Sequence, residues 1–302
     1  MILNFPLVIL EVKEKINSNY GKKGTETYPD FSVLMSVYKR ENPKFLDQSL
    51  CSIEGQTVLP TEIILVEDGP IPTILQEVIN KHRSNFVNDF KVIKSIRNQG
   101  LGASLRLGTK FVSTDWIARM DSDDISVHNR FELQLKEVVR EPNLAVIGGQ
   151  IQEFAGESSN IVGYRKVPTT ESLLRQFIKW RSPFNHPSVM LNKDALQKVG
   201  GYMPYGNLED YYLWARIIVY KFHVKNIDRV LVKMRVDEGM YQRRGKFSNI
   251  KYFYRLRKFL YKHKVLTWRE RFLGDWLMTA NILIPGWLRK IIYRKILHRY
   301  SN

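Results

Sequence analysis

The chain has 302 residues, 44% hydrophobic and 12% aromatic, enough for one large domain with an appendage or two modest ones, and wholesale disorder is excluded. A single cysteine, Cys51, excludes a disulfide framework and gives no support for a thiolate metal site; it reads as a small hydrophobe on a helix face. Lys+Arg 47 against Asp+Glu 30 leave a net charge of +17, so an anionic partner is expected: nucleic acid, an anionic membrane surface or a phosphorylated substrate.

The start, "MILNFPLVIL", is apolar but lacks a basic lead and meets Glu11 and Lys13 at once, a poor fit to a secretory signal. No run of ~18–20 apolar residues follows anywhere. The expected location is the cytoplasm or the cytoplasmic face of a membrane, with residues 1–30 as an N-terminal extension. From 31 to 154, short β-rich runs alternate with amphipathic stretches of helix length. Strands are predicted at 31–38, 62–68, 90–96, 115–121 and 144–154, with helices near 45–56, 75–83, 101–112 and 128–140. Apolar strands joined by crossover helices predict an α/β doubly wound domain, a mostly parallel sheet covered on both faces. Between 155 and 240, loops rich in Ser, Gly and Pro surround a short helix near 173–180 and a helix over "EDYYLWARIIVY".

Doubly wound sheets bind ligands beyond the carboxyl ends of their strands. The polar residues fall there: Tyr38–Arg40, Glu67–Asp68, Arg97–Asn98 and the loop "ARMDSDD", with Asp121, Asp123 and Asp124. Carboxylates two apart after a buried strand suit a hard cation, Mn²⁺ or Mg²⁺, that also takes phosphate oxygens. Asp124 reads differently, as the acidic start of the helix that follows.

Taken together, "FSVLMSVYKREN", "EIILVEDGP", "IRNQGLGASLRLG", "WIARMDSDDISVHNRFE", "NHPSVMLNKDALQKVGGY" and "LEDYYLWAR" resemble the inverting family 2 glycosyltransferases of the GT-A fold, over roughly 31–215. The resemblance implies a GT-A domain at 31–240, with a donor half (31–154) and an acceptor half (155–240). It implies that Val37, Tyr38, Glu41 and Asp68 hold base and ribose, UDP fitting best. Asn98, Gly100 and Arg106 would line the same donor site, Arg106 meeting phosphate or holding the acidic loop. Asp121 would touch ribose or metal, Asp123 the metal. Asp210 would be the general base with Glu209 as orienting acid, although capping of that helix by Asn207 is the competing reading. His186 is placed on the acceptor side, and Arg243 and Arg244 against the diphosphate. Gln242-Arg243-Arg244 lacks the tryptophan that follows in polymerising membrane members, which points to one sugar per visit.

From Gly239 to Arg269 there is no acidic residue, and beyond Pro285 Arg289, Lys290, Arg294, Lys295 and Arg299 stand unopposed among bulky apolar residues. Residues 241–302 are therefore expected to form basic amphipathic helices on an anionic membrane surface. The implied partners are a nucleotide-sugar, a polyprenyl-diphosphate-linked saccharide acceptor and that surface, with no nucleic acid. Two other readings are weaker. Base stacking on the basic-aromatic segment 241–268 leaves the acidic strand ends unexplained. A sugar-nucleotide nucleotidyltransferase needs a Gly-rich phosphate loop where this chain has "SVYKRENPKF".

Overall fold

In the computed structural model the described residues are 9–11, 27–236 and 250–283. Four parallel strands form the centre: β2 (Phe31–Val37), β3 (Glu62–Glu67), β4 (Asp89–Lys94) and β5 (Trp116–Arg119). Their spatial order is β4-β3-β2-β5, so the chain winds outward from β2 in one direction and then crosses back to its other side. The β2/β5 boundary is thus a topological switch point, where crossovers leave on opposite faces and a crevice opens.

The sheet runs further than the periodicity predicts. β1 (Ile9–Glu11), inside the expected extension, pairs antiparallel with β4. Past β5 come β9 (Met190–Asn192), β7 (Leu144–Phe154), β10 (His223–Arg235) and β6 (Ile125–Ser126), while β8 (Ile161–Arg165) pairs with β7. β9 is antiparallel to both β5 and β7, which makes the sheet mixed at this point. The second half of the chain therefore adds strands to the same sheet.

Alternation sorts β2 between two cores: Val33 and Met35 face one, Leu34 the other. The first is covered by α1 (Pro43–Glu54), α2 (Thr73–Asn85) and α4 (Arg130–Arg140). The second is covered by α3 (Leu101–Gly108), α5 (Glu171–Phe177), α6 (Lys193–Lys198), α7 (Glu209–Val219) and α8 (Ile250–Lys262). α1 buries Leu46, Ser49, Leu50 and Ile53, an i, i+3, i+4, i+7 stripe. That stripe turns Cys51 outward: the thiol lies on a helix as expected but is exposed, not packed. Helix α3 ends four residues short of the predicted boundary. Tighter turns close it, Lys110 bonding to Leu107 and Phe111 to Gly108.

Candidate active site

The loops leaving β2 and β5 are neighbours at the switch point, and side chains tie them together. Ser122 Oγ donates to Glu41, and Ser49 Oγ on α1 donates to the Asp121 carbonyl at 2.8 Å. Downstream, β6 pairs with Val232 and Lys233 of β10, so the acidic loop is pinned at both ends. Arg235, at the end of β10, closes it. Its backbone N–H donates to Asp124 Oδ1 at 2.9 Å, its Nε to the Asp123 carbonyl at 3.2 Å and its Nη2 to Gln48 at 2.7 Å. The guanidinium is sandwiched between the rings of Phe45 and Phe154, which fixes its plane.

Pinning forces three carboxylates together. One oxygen from each of Asp121, Asp123 and Asp124 lies within 4.8 Å of the others. Burial, then Asp121 and Glu41, push Asp123 up to about 7, and burial, then Asp121 and Asp123, hold Asp124 well above the carboxylate range. Asp124 Oδ2 is buried without a hydrogen-bond partner. Crowded acids with an orphaned oxygen fit a divalent cation, which would relieve both the repulsion and the orphan. The helix-start reading of Asp124 fails, because β6 intervenes and the N-cap of α4 is Asn129.

Arg119 is the counter-charge beneath the loop. It is 2% exposed, and its Nη2 donates to Asp121 Oδ1. The same charge acts on Asp123, Asp124, Glu209, His186 and Tyr202. Glu209, His186 and Tyr202, from other parts of the chain, therefore lie within its field. Glu209 and Asp210 occupy the first turn of α7. The N-cap is Leu208 with no side-chain cap bond, so Asn207 does not cap and the capping account of this motif fails. Glu209 packs on the start of α3: a Cβ at Gly102 would come 3.3 Å from its own Cβ. Burial, then Asp210, push Glu209 up to about 7, and its Oε2 has no hydrogen-bond partner. Tyr202 is buried and feels Asp210, Glu209 and Asp121, and its Oη lies 3.1 Å from His186 Nε2. Burial and then Arg119 hold His186 well below its usual range, so it is neutral.

Comparison with known proteins identifies this arrangement. The profile "Glycosyl transferase family 2" matches residues 32–200. The chain is a family 2 glycosyltransferase. An uncharacterized glycosyltransferase of Haemophilus influenzae is 36% identical over 269 residues, 89% of this chain and 99% of that one. The UDP-Gal:alpha-D-GlcNAc-diphosphoundecaprenol beta-1,3-galactosyltransferase of Escherichia coli is 35% identical, covering 90% and 98%. The amylovoran biosynthesis glycosyltransferase AmsE of Erwinia amylovora is 31% identical, covering 88% and 98%. The crystal structure of S. aureus TarS 1-349 in complex with UDP-GlcNAc superposes with a TM-score of 0.59 at 18% identity, over 76% of this chain and 66% of that one. That likeness shows the GT-A fold.

In this glycosyltransferase the remaining predicted residues divide. Tyr38 is exposed and Glu41 half-buried at the crevice. Val37 is not in it: the side chain is in the core and the carbonyl accepts from Asp68 N–H at 2.8 Å, so Val37 acts only by placing Asp68. Asp68 is buried, its two oxygens accepting from Gln99 N at 2.7 Å and Gly100 N at 2.9 Å. Its observed work is to shape the 97–100 loop, helped by Asn98 Nδ2, which donates to the Asp68 carbonyl at 3.2 Å. Gly69 at φ +83° allows that approach, since a Cβ there would lie 2.6 Å from Asn98 N. Arg106 does not hold the acidic loop; it is exposed in the last turn of α3 and its charge is felt by Arg216. Arg119 has that task. Arg243 and Arg244 lie outside the described residues. Sequence reading missed Arg119, Arg235 and Tyr202. Only Arg119 left a local signal, a lone cation in the otherwise apolar strand "WIAR".

Proposed function

We propose that the enzyme is an inverting, metal-dependent transferase that moves one hexose or N-acetylhexosamine from a UDP-sugar to a lipid-linked saccharide in surface-polysaccharide synthesis. The carrying observation is that Asp121, Asp123 and Asp124 and, on α7, Glu209 lie within the field of one buried cation, Arg119. The Escherichia coli relative, whose name gives a UDP-Gal donor and a diphosphoundecaprenol-linked acceptor, supports both substrate classes. A peripheral place on the cytoplasmic face of the inner membrane goes with such an acceptor; among the described residues no helix is long and apolar enough to cross a membrane.

Tyr38, Glu41 and the loop shaped by Asp68, Asn98 and Gly100 receive the nucleoside, and Arg243 and Arg244 the diphosphate. Asp121 and Asp123, backed by Asp124, would hold Mn²⁺ or Mg²⁺, which when bound supplies Lewis-acid neutralisation of charge on the departing diphosphate. Asp210 removes the proton of the acceptor hydroxyl as that oxygen attacks the anomeric carbon opposite the leaving UDP, so one C–O bond forms as the other breaks. Glu209, which keeps its proton up to about pH 7, orients the acceptor beside it. His186, on the acceptor side, is held by its contact with the buried Tyr202.

Calorimetric titration with UDP tests this, first with Mn²⁺ and then with EDTA. Binding that disappears with the chelator, and in Asp123→Ala, is expected. Asp210→Asn should bind UDP as the wild type does and lose transfer by ~10²–10⁴-fold. Full turnover in either variant removes the role given to that residue.

A further inference from the structure

α9 (Trp268–Leu283) is an amphipathic helix turned inside out. Its inward side is charged. Arg257 of α8, 1% exposed, reaches into it, with Nε 3.0 Å from Asp275 Oδ1 and Nη2 on the Glu270 and Arg271 carbonyls. Lys179 Nζ pairs with Glu270 at 2.8 Å, and Arg271 pairs with Asp275. Gly274 is what lets the helix close on this centre, since a Cβ there would lie 2.1 Å from Arg257 Cζ. Both acids of the helix, Glu270 and Asp275, are thus committed inward.

The outward side is apolar. Trp268, Phe272, Leu273, Trp276 and Leu277 follow one another at i, i+4, i+5, i+8 and i+9, the two tryptophans and Phe272 at 60–70% exposure. Arg269 is the only charged residue exposed on that side of Trp268–Leu277. A water-facing helix has the opposite polarity, and isolated exposed hydrophobes do not form a stripe. In sequence the flanking charge is of one sign: Lys258, Lys262 and Lys264 are exposed just before the helix. Beyond Pro285 the sequence adds five Lys/Arg and no acid.

We infer that this stripe is the surface on which the enzyme sits on an anionic lipid bilayer, aromatic side chains entering the headgroup boundary and the surrounding Lys and Arg meeting lipid phosphates. Aromatic residues suit that depth because their rings are apolar at one end and tolerate water at the other. The inward salt bridges hold the stripe rigid, so docking requires no rearrangement of α9. The inference rests on the proposed lipid-linked acceptor only for its purpose.

The test uses the full chain and separates the two. Sedimentation is measured with vesicles of phosphatidylcholine alone and with phosphatidylglycerol added, no substrate present, while UDP titration is run in parallel. Wild type should pellet with the anionic vesicles only. Phe272→Glu/Trp276→Glu should lose about tenfold or more of that binding, with UDP affinity and oligomeric state unchanged, and Phe272→Leu/Trp276→Leu should keep most of it. A polarity-sensitive dye on Cys51→Ser/Phe272→Cys should report water in buffer and shift to an apolar signal on vesicles. Equal vesicle binding by the Glu variant overturns the inference, as does a dye shielded in buffer, which means that residues 284–302 or a second copy cover the face. Absence of UDP binding by the wild type instead overturns the proposed UDP-sugar donor and leaves the membrane face standing.

Discussion

Burying Arg119 leaves its Nε and Nη1 without hydrogen-bond partners while Nη2 holds Asp121. A buried guanidinium so sparsely bonded is expensive for folding, and it is kept where its charge is needed. Its position sets the orientation of Asp121 and tempers the neighbouring acids, so it is a positioning residue. Arg119→Lys retains charge without the planar fork and should weaken Mn²⁺-dependent UDP binding by ~10–100-fold, the scale seen for groups that orient metal ligands. Thermal unfolding should change less in Arg119→Lys than in Arg119→Met, and wild-type UDP affinity in both would show that the loop does not depend on it. Glu209 gives a second test at this scale. Its carboxyl keeps a proton to about pH 7 in the folded chain, against 4.5 as its ordinary value. Between those values the folded state binds the extra proton, so stability falls as pH rises and the loss is complete above about 7. Allowing for the partial exposure of the group, the penalty is on the order of 2 kcal/mol. In EDTA and without nucleotide, Glu209→Gln should unfold at higher temperature than wild type at pH 8 and at the same temperature near pH 4.

Between α1 and α2 an ionic clamp replaces part of the apolar contact. His82, buried, bonds to Glu54 through Nδ1 at 2.8 Å and to Asp47 through Nε2 at 3.0 Å, and Asp47 also takes Lys81 at 2.8 Å. Burial opposes the charged imidazole, but the bonds to Glu54 and Asp47 outweigh it and raise the pKa. A raised histidine stabilises fully below its unfolded value of 6.5 and loses that contribution as pH rises through the folded pKa. The melting temperatures of wild type and His82→Gln should therefore differ most near pH 6 and converge toward pH 9; a gap that widens with pH would mean the histidine is neutral. None of this pairing is visible in sequence, because Asp47 and His82 are 35 residues apart. What was legible were the elements with an uninterrupted period, α1 through α4 and the strands β2 to β5, predicted within a few residues. The elements that escaped have physical reasons. β9 is three residues long and β6 only two, too short to show alternation. β10 carries register shifts at Ile227/Val230 and Val230/Val232 that break its period. In α9 the pattern showed amphipathicity, yet which side turns inward depends on Arg257, on another helix.

Across the whole molecule, polarity is divided between two regions. The crevice at the switch point collects Glu41, Asp121, Asp123, Asp124, Glu209 and Asp210, while the sequence from Gly239 to Arg269 has no acid at all. The clustering of Glu41 with the Asp121–Asp124 loop was legible because a doubly wound sheet gathers its strand ends at one edge, so sequence order predicts neighbourhood. The facing of α7 was legible only by resemblance, since nothing in "LEDYY" says what lies opposite. This division separates two electrostatic jobs with different ranges. Contacts in the crevice act over bond lengths from partly or fully buried groups, whereas the basic face acts on a lipid surface through solvent. Screening shortens from ~10 Å at 0.1 M salt to ~3 Å at 1 M, which reaches the second and largely spares the first. Raising NaCl from about 0.05 to about 0.5 M should therefore depress transfer to an acceptor embedded in anionic vesicles, mainly through a higher apparent KM. Mn²⁺-dependent UDP affinity should move much less, and with the acceptor in neutral detergent micelles the salt effect on transfer should largely vanish. Equal salt sensitivity in vesicles and micelles would place the dependence in the crevice instead, and the basic face would then have no part in delivering the acceptor.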